Sequence, residues 1–292
     1  MIFHPRRLAR FLRWNVIHLL PRHDVVIETF NGSLACDNKD WLIGKYLYVY
    51  RSYEAETIRL CIDLLAREGY LEKAGNGLVL DVGANIGMIC IALLKHGYFS
   101  KAIAFEPNPN SFRLLTNNLS LNGFENEIEC FPYALSSSER EADLEISKEN
   151  SGDDNLRYEN EDRAFGEDTR LTVKVPVVTL DRFFAERPDS DIEKTSLIWV
   201  DIQGHEGHFF QGAQRLLDRG IPVVSEFWPY GIKRSGMSLS DYYRIVNEIF
   251  THFYHFRDGQ FEKMVIGQID ELYKVYEKPR EFAQIIYVKQ SG

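Results

Sequence analysis

The 292 residues include 45% apolar, 13% aromatic and 26% charged side chains, which excludes disorder and collagen-like repeats and suits one large α/β domain with additions. Asp and Glu outnumber Lys and Arg by 43 to 34, and the formal charge of −9 argues against broad binding to nucleic-acid phosphates. Cys36, Cys61, Cys90 and Cys130 form no C-x-x-C pair, so buried free thiols in a reducing cytoplasm are expected, not a zinc site or a disulfide framework.

The chain opens with Arg6, Arg7, Arg10, Arg13 and Arg22, and no acidic residue precedes Asp24. Arg10 and Arg13 interrupt the apolar stretch that a signal peptide needs, and no run approaches the roughly 18 apolar residues of a membrane span. Leu8, Phe11, Leu12 and Trp14 lie among the arginines with partly helical spacing. Residues 5–20 therefore read as a basic amphipathic helix, with two readings open: peripheral membrane contact through residues 1–23, or packing on the body of the protein. Residues 25–30 and 33–36 read as a hairpin around Asn31-Gly32. This helix and hairpin form an expected extension over residues 1–52, ahead of a main domain over 53–292. A helix over 54–68 follows, with Gly69 as its stop.

From Leu78 the pattern becomes strand, glycine turn, helix, and then repeats: GLVLDVG-ANIG-MICIALLKHG, followed by KAIAFE-PNPN-SFRLLTNNLSLNG. Such alternation predicts a mostly parallel sheet with helices on both faces. Residues 128–131, 197–202 and 223–227 supply further short apolar strands, and a helix over about 206–218 joins the last two. Residues 148–168 are rich in Asp and Glu, lack periodicity, and read as a long solvated acidic loop of the kind that forms lids or substrate walls.

The sharpest signal is the turn D-x-G-x-N-x-G, formed by Asp81, Gly83, Asn85 and Gly87. Glycines there permit close approach of a ligand to backbone N–H groups, and a helix N-terminus favours an anionic ligand group. Glu106 ends the next strand, where an acid is placed to hydrogen-bond ribose hydroxyls. The turn lacks the G-x-G-x-x-G spacing that cradles a pyrophosphate, so adenosine without a diphosphate, as in S-adenosylmethionine, fits better than NAD. His205 with His208, and His252 with His255, have spacings suited to a metal but no evident third ligand, and no metal is expected. Trp228, Tyr230, Tyr242 and Tyr243 read either as a stacking wall for a sugar or as core.

With these motifs in order, the sequence resembles the FkbM-type methyltransferases, a family of class I S-adenosylmethionine-dependent enzymes. The matching pieces are YEAE at 53–56, LDVGANIG at 80–87, FEPNP at 105–109, VPVVTLD at 175–181 and VDIQGHE at 200–206, completed by Gly212-Ala213. The resemblance implies a Rossmann-like sheet of about seven strands and methyl transfer, usually to a hydroxyl oxygen. It implies that Asp81, Gly83, Ala84, Asn85 and Gly87 hold the methionine end of the cofactor. Glu106, Pro107 and Asn108 then belong to the ribose side, and Glu54 helps to close the pocket. Asp201 is implied beside the transferred methyl, while Gln203 and Trp199 stand where the family often has an acid and a lysine.

Methyl transfer needs positioning and, where the acceptor requires it, a base. Asp201, His205 and Glu226 are the candidates, all expected at carboxyl ends of strands. His205 has a suitable intrinsic pKa, with an exposed histidine at a helix start as the alternative. The expected activity is O-methylation of a sugar or glycan hydroxyl. A polyketide hydroxyl, or a nucleoside-binding protein without turnover, is the alternative.

Overall fold

The computed structural model describes residues 5–71, 75–158 and 169–290. The chain enters through α1 (Pro5–Leu19), a hairpin of β1 (Asp24–Glu28) and β2 (Ser33–Asp37), and two helices, α2 (Ile43–Tyr50) and α3 (Ala55–Arg67). Two strand–helix units follow, β3 (Leu78–Val82) with α4 (Met88–Lys95) and β4 (Lys101–Phe105) with α5 (Pro109–Asn122), then β5 (Ile128–Phe131). A side sheet uses β6 (Ala134–Leu135), β7 (Arg140–Ile146), β8 (Asn155–Leu156) and β9 (Leu171–Val178). Helices α6 (Leu180–Ala185) and α7 (Asp189–Lys194) lead to β10 (Thr195–Val200), α8 (Glu206–Gln211), α9 (Gln214–Leu217) and β11 (Val223–Phe227). The chain closes with α10 (Pro229–Arg234), α11 (Leu239–Ile249), β12 (His252–Arg257), β13 (Gln260–Val265), α12 (Glu271–Val275) and β14 (Ala283–Val288).

The central sheet has eight strands in the order β13-β12-β14-β11-β10-β3-β4-β5. Strands β11, β10, β3, β4 and β5 are parallel, and β14, β12 and β13 pair antiparallel beyond them. This is the Rossmann-like arrangement that the alternating elements imply. Helices cover both faces, so the inner strands are mostly apolar, and every residue of β3, Asp81 included, is buried. The helix α4 is buried along Met88–Leu94 because it lies between the sheet and the N-terminal elements. Asn108 caps α5 through its side chain, Pro109 starts it, and Gly123 ends it in a left-handed conformation.

The N-terminal elements share this core. Trp14, Ile27, Leu47 and Ile58 pack in one cluster with residues of α4 and α5. Trp14 is fully buried, its ring 5.4 Å from that of Tyr48, which removes it from the apolar residues expected to reach a membrane. The strand β2 has β1 on one side only, and its other edge is met by side chains of α5. Asn118 Oδ1 accepts from Ala35 N at 2.6 Å and its Nδ2 donates to Ala35 O at 3.1 Å. One turn on, Asn122 does the same for Ser33 at 3.0 and 2.9 Å. Two amides at i and i+4 on a helix thus stand in for a neighbouring strand at i and i+2.

Two expectations need correction. The stretch 148–168 is not simply a solvated loop: residues 155–156 form β8, paired with β7, and Asn155 and Leu156 are buried. Its remainder over 159–168 lies outside the described residues. The helix expected over 206–218 is two helices, because the Asp181 carboxylate accepts from Gln214 N and Arg215 N and so starts α9 afresh. Among the described residues no helix is long and apolar enough to cross a membrane. All four cysteines are free thiols, with Cys36, Cys61 and Cys90 buried.

Asn118 also donates to Ile86 O at 2.8 Å, so Asn118→Ala strands three buried backbone groups. Urea unfolding should show a loss of about 2–4 kcal/mol. A change below about 0.5 kcal/mol would show that the hairpin does not depend on this contact.

Candidate functional site

The strand order reverses between β3 and β10, and open α/β sheets bind ligands outside the carboxyl ends of their strands at such a point. A cavity lies there, lined by Glu54, Asp81, Gly83, Ala84, Asn85, Glu106, Pro107, Asp201 and His205. Gly87 and Asn108 stand behind the lining. Glu226, near the end of β11, is outside it but near enough for Asp201, Glu206 and Glu54 to raise its pKa, which burial already holds well above the ordinary carboxylate range.

The glycine turn works differently from the expectation. Gly83 N and Ala84 N each donate to Phe105 O at 3.0 Å, and Asn85 N donates to Glu106 Oε2 at 2.8 Å. These amides are spent within the fold and are not presented to a ligand. Asp81 Oδ2 accepts from Cys90 N at 3.0 Å, so the positive end of α4 already faces an anion and does not await an anionic ligand group. The two glycines serve packing. At Gly83, with φ of +84°, an added Cβ would lie 2.0 Å from the Asp201 carbonyl oxygen. At Gly87 it would lie 2.7 Å from Leu115 on α5.

Glu106 accepts Asn108 N through its other oxygen at 2.7 Å, leaving further lone pairs for a ligand hydroxyl. Burial pushes its pKa up to about 8. Asp201 accepts from Gln203 Nε2 at 2.7 Å, so Gln203 donates to that carboxylate where a second acid would repel it. Glu206, to which the sequence assigned no role, accepts from Ile202 N and Gly204 N at 3.1 and 3.3 Å and pins the turn after β10. Glu54 is set by Asn31, whose amide exchanges two hydrogen bonds with the backbone of Tyr53. Burial, then the Asp201 charge, raises Glu54 to about 7.

His205 is buried, which corrects the reading of an exposed histidine at a helix start. Its Nε2 lies 2.9 Å from Ser136 Oγ, its ring centroid 4.4 Å from that of His208, and its Nδ1 is buried with no partner among the described residues. Burial, then His208 and Arg140, holds its pKa well below the usual value, so the imidazole is neutral at pH 7.

The segment Ser151–Leu156 belongs to the acidic stretch read as a lid or substrate wall, and it stands at the cavity. Ser151, Gly152, Asp154, Asn155 and Leu156 all line the cavity. The Ser151 hydroxyl donates to Asp40 Oδ2 at 2.6 Å, and Asp154 accepts from Ser147 N at 2.7 Å and from the Asn108 amide. Burial raises Asp154 to about 7 and Asp81 to about 6.

Of the two readings of the aromatic group, the structure supports packing in place of a stacking wall at the cavity. Trp228 and Tyr230 hold the Arg234 guanidinium, at 4.8 and 5.9 Å, and Tyr242 is core, its hydroxyl 2.8 Å from that of Tyr287. Neither these three nor Tyr243 lines the cavity. On β12, His255 Nε2 lies 2.7 Å from Tyr276 Oη and His252 Nδ1 lies 3.1 Å from Thr251 Oγ1. Among the described residues, no group of three His, Cys, Asp or Glu side chains is placed to hold a metal.

The cavity is thus strongly acidic: Glu54, Asp81, Glu106, Asp154 and Asp201 line it, and no described Lys or Arg does. It is suited to a cation and unsuited to a pyrophosphate.

The family description of the methyltransferase FkbM domain matches residues 81–277, more than half of the chain. Methyltransferase sdnD of Sordaria araneosa is 27% identical over an alignment of 179 positions that covers 54% of this chain and 69% of that protein. The crystal structure of methyltransferase FkbM from Methylobacillus flagellatus KT matches 76% of this chain at 15% identity and a TM-score of 0.41. The chain spans only 46% of its length. P. horikoshii TYW2 in complex with MeSAdo matches 92% of this chain and 72% of its own, at 13% identity and a TM-score of 0.40. The match over residues 81–277 decides the family: the chain belongs to the proteins that carry the FkbM methyltransferase domain.

Proposed function

We propose that the cavity binds S-adenosylmethionine and that the chain methylates a hydroxyl oxygen on a sugar or glycan. The observation that carries this reading is the lining of five carboxylates without a described lysine or arginine, because a sulfonium and an ammonium group both match it and a dinucleotide does not. When bound, the cofactor supplies an electrophilic methyl group. The residues of the chain then have separable tasks. Glu106 offers free lone pairs for ribose hydroxyls. Glu54, Asp81 and Asp154 supply negative charge for the cationic end. Asp201, oriented by Gln203, is placed to take a hydroxyl proton; the burial that lowers the His205 pKa makes its imidazole the weaker acceptor, and the burial that raises the Glu226 pKa favours the neutral form of that acid behind them.

Exchange of labelled methyl into a panel of sugar alcohols, glycolipids and polyketide alcohols tests the reaction. Label in a sugar product supports the reading, label in a polyketide alone replaces the acceptor class, and binding without any turnover across the panel contradicts the enzymatic assignment.

Glu106→Gln should weaken S-adenosylmethionine binding by about 1.5–3 kcal/mol, read by calorimetry on a protein whose unfolding midpoint is checked in parallel. Wild-type affinity in that variant would mean that the ribose lies elsewhere.

Asp201→Asn should lower turnover by about 10²- to 10⁴-fold while changing cofactor affinity far less. His205→Ala, measured beside it, separates the two proton acceptors. Equal losses of affinity and turnover in Asp201→Asn would make it a binding residue.

A further inference from the structure

The helix α1 carries a surface that its own packing does not explain. It docks through Trp14, with Phe11 and Ile17 half-buried beside it, and the opposite side faces outward. That outward side is apolar: Leu8 is 45% exposed, Leu12 56%, Val16 62% and Leu19 81%. Their spacing of four, four and three residues sets them in one stripe along the helix. A surface helix ordinarily turns a polar face to water, so this helix is inverted.

Charge identifies what covers the stripe. Arg6 and Arg13 are exposed, and helical geometry places both along one flank of it. Arg7 and Arg10 turn towards α2, over the Tyr50 ring at 5.2 Å and onto Val49 O at 3.3 Å. No acidic residue lies within the helix. A basic flank on an apolar stripe, in a protein whose net charge is −9, is complementary to an anionic lipid surface. A second copy of α1 fits less well, because its arginines would approach like charges. At 15 residues, the helix is too short to span a bilayer and suits the interface.

We propose that α1 lays this face on an anionic membrane surface, with Leu8, Leu12, Val16 and Leu19 entering the headgroup boundary and the basic flank that includes Arg13 meeting lipid phosphates. The next helix, α2, begins with Ile43, and Tyr53 and Glu54 follow it; all three line the cavity. The contact therefore sets the cavity two elements away from the surface, where a hydroxyl acceptor carried on a lipid meets it. That last consequence rests on the methyl-transfer reading; the surface contact does not.

Co-sedimentation of the full chain with vesicles of phosphatidylcholine and phosphatidylserine tests the proposal, with pure phosphatidylcholine vesicles as the comparison. The wild type should pellet with the anionic vesicles, much less with the neutral ones, and be released by high salt. Leu12→Gln/Val16→Gln should weaken the binding by roughly tenfold or more, and Arg13→Gln by roughly fivefold. Leu12, Val16 and Arg13 are exposed, so thermal unfolding should be unchanged. The proposal is overturned if the wild type stays in the supernatant of anionic vesicles or if Leu12→Gln/Val16→Gln pellets like the wild type. A wild-type dimer in sedimentation equilibrium, dissociated by that variant and without vesicle binding, would assign the face to a second copy instead.

Discussion

The site depends on one close backbone crossing. The turn after β3 passes so near the end of β10 that a Cβ at Gly83 would lie 2.0 Å from the carbonyl oxygen of Asp201. This crossing brings Asp81 and Asn85 from one turn and Asp201, Gln203 and His205 from the other around a single cavity. Unusual backbone conformations gather around the same cavity. Glu54, Asn85 and Gln203 are three of the five described non-glycine residues with positive φ, and all three line the cavity. Left-handed backbone costs a non-glycine residue about 1–2 kcal/mol, and here side-chain hydrogen bonds hold each turn. Glu106 holds Asn85, Glu206 holds the turn around Gln203, and Asn31 holds the strand of chain before Glu54.

The same carboxylates that brace the turns charge the cavity. Their pKa values are raised chiefly by burial, so without a cation the lining is costly to ionise. A pyrophosphate-binding turn offers free amides to an anion. This turn spends its amides internally and leaves acids facing the cavity, which separates it chemically from a dinucleotide site built on a comparable strand-turn-helix unit.

Much of this was legible in the sequence where periodicity and local chemistry agree. Strands β3 and β4 and helices α4 and α5 follow from apolar runs bounded by Gly87, Pro109 and Gly123, and the cavity residues Asp81, Asn85, Glu106 and Asp201 follow from motifs at strand ends. The roles of the glycines did not, because a close approach to Asp201 or Leu115 is a tertiary fact. The acidic stretch read as a wall, but the ordered part at 151–156 was hidden for a similar reason: its order comes from Asp40, Asn85 and Asn108, all distant in sequence. Composition shows the helix α1 but not which side packs. Trp14 went inward and the leucines outward, a choice made by Tyr48 and the rest of α2.

The central claim is that an acidic, partly protonated cavity is made for a cationic nucleoside, and proton exchange on binding tests it most directly. With pKa values raised to about 7 for Glu54 and Asp154 and about 8 for Glu106, the empty protein retains protons at pH 7 that ordinary carboxylates have lost. A bound cation favours the ionised forms, so S-adenosylmethionine should expel protons, and its affinity should rise from about pH 6 to about pH 8. Calorimetry at pH 7 in buffers of different ionisation enthalpy reads this number. The account predicts net release, of the order of one proton per site; tight binding with no proton exchange, or with uptake, would contradict it.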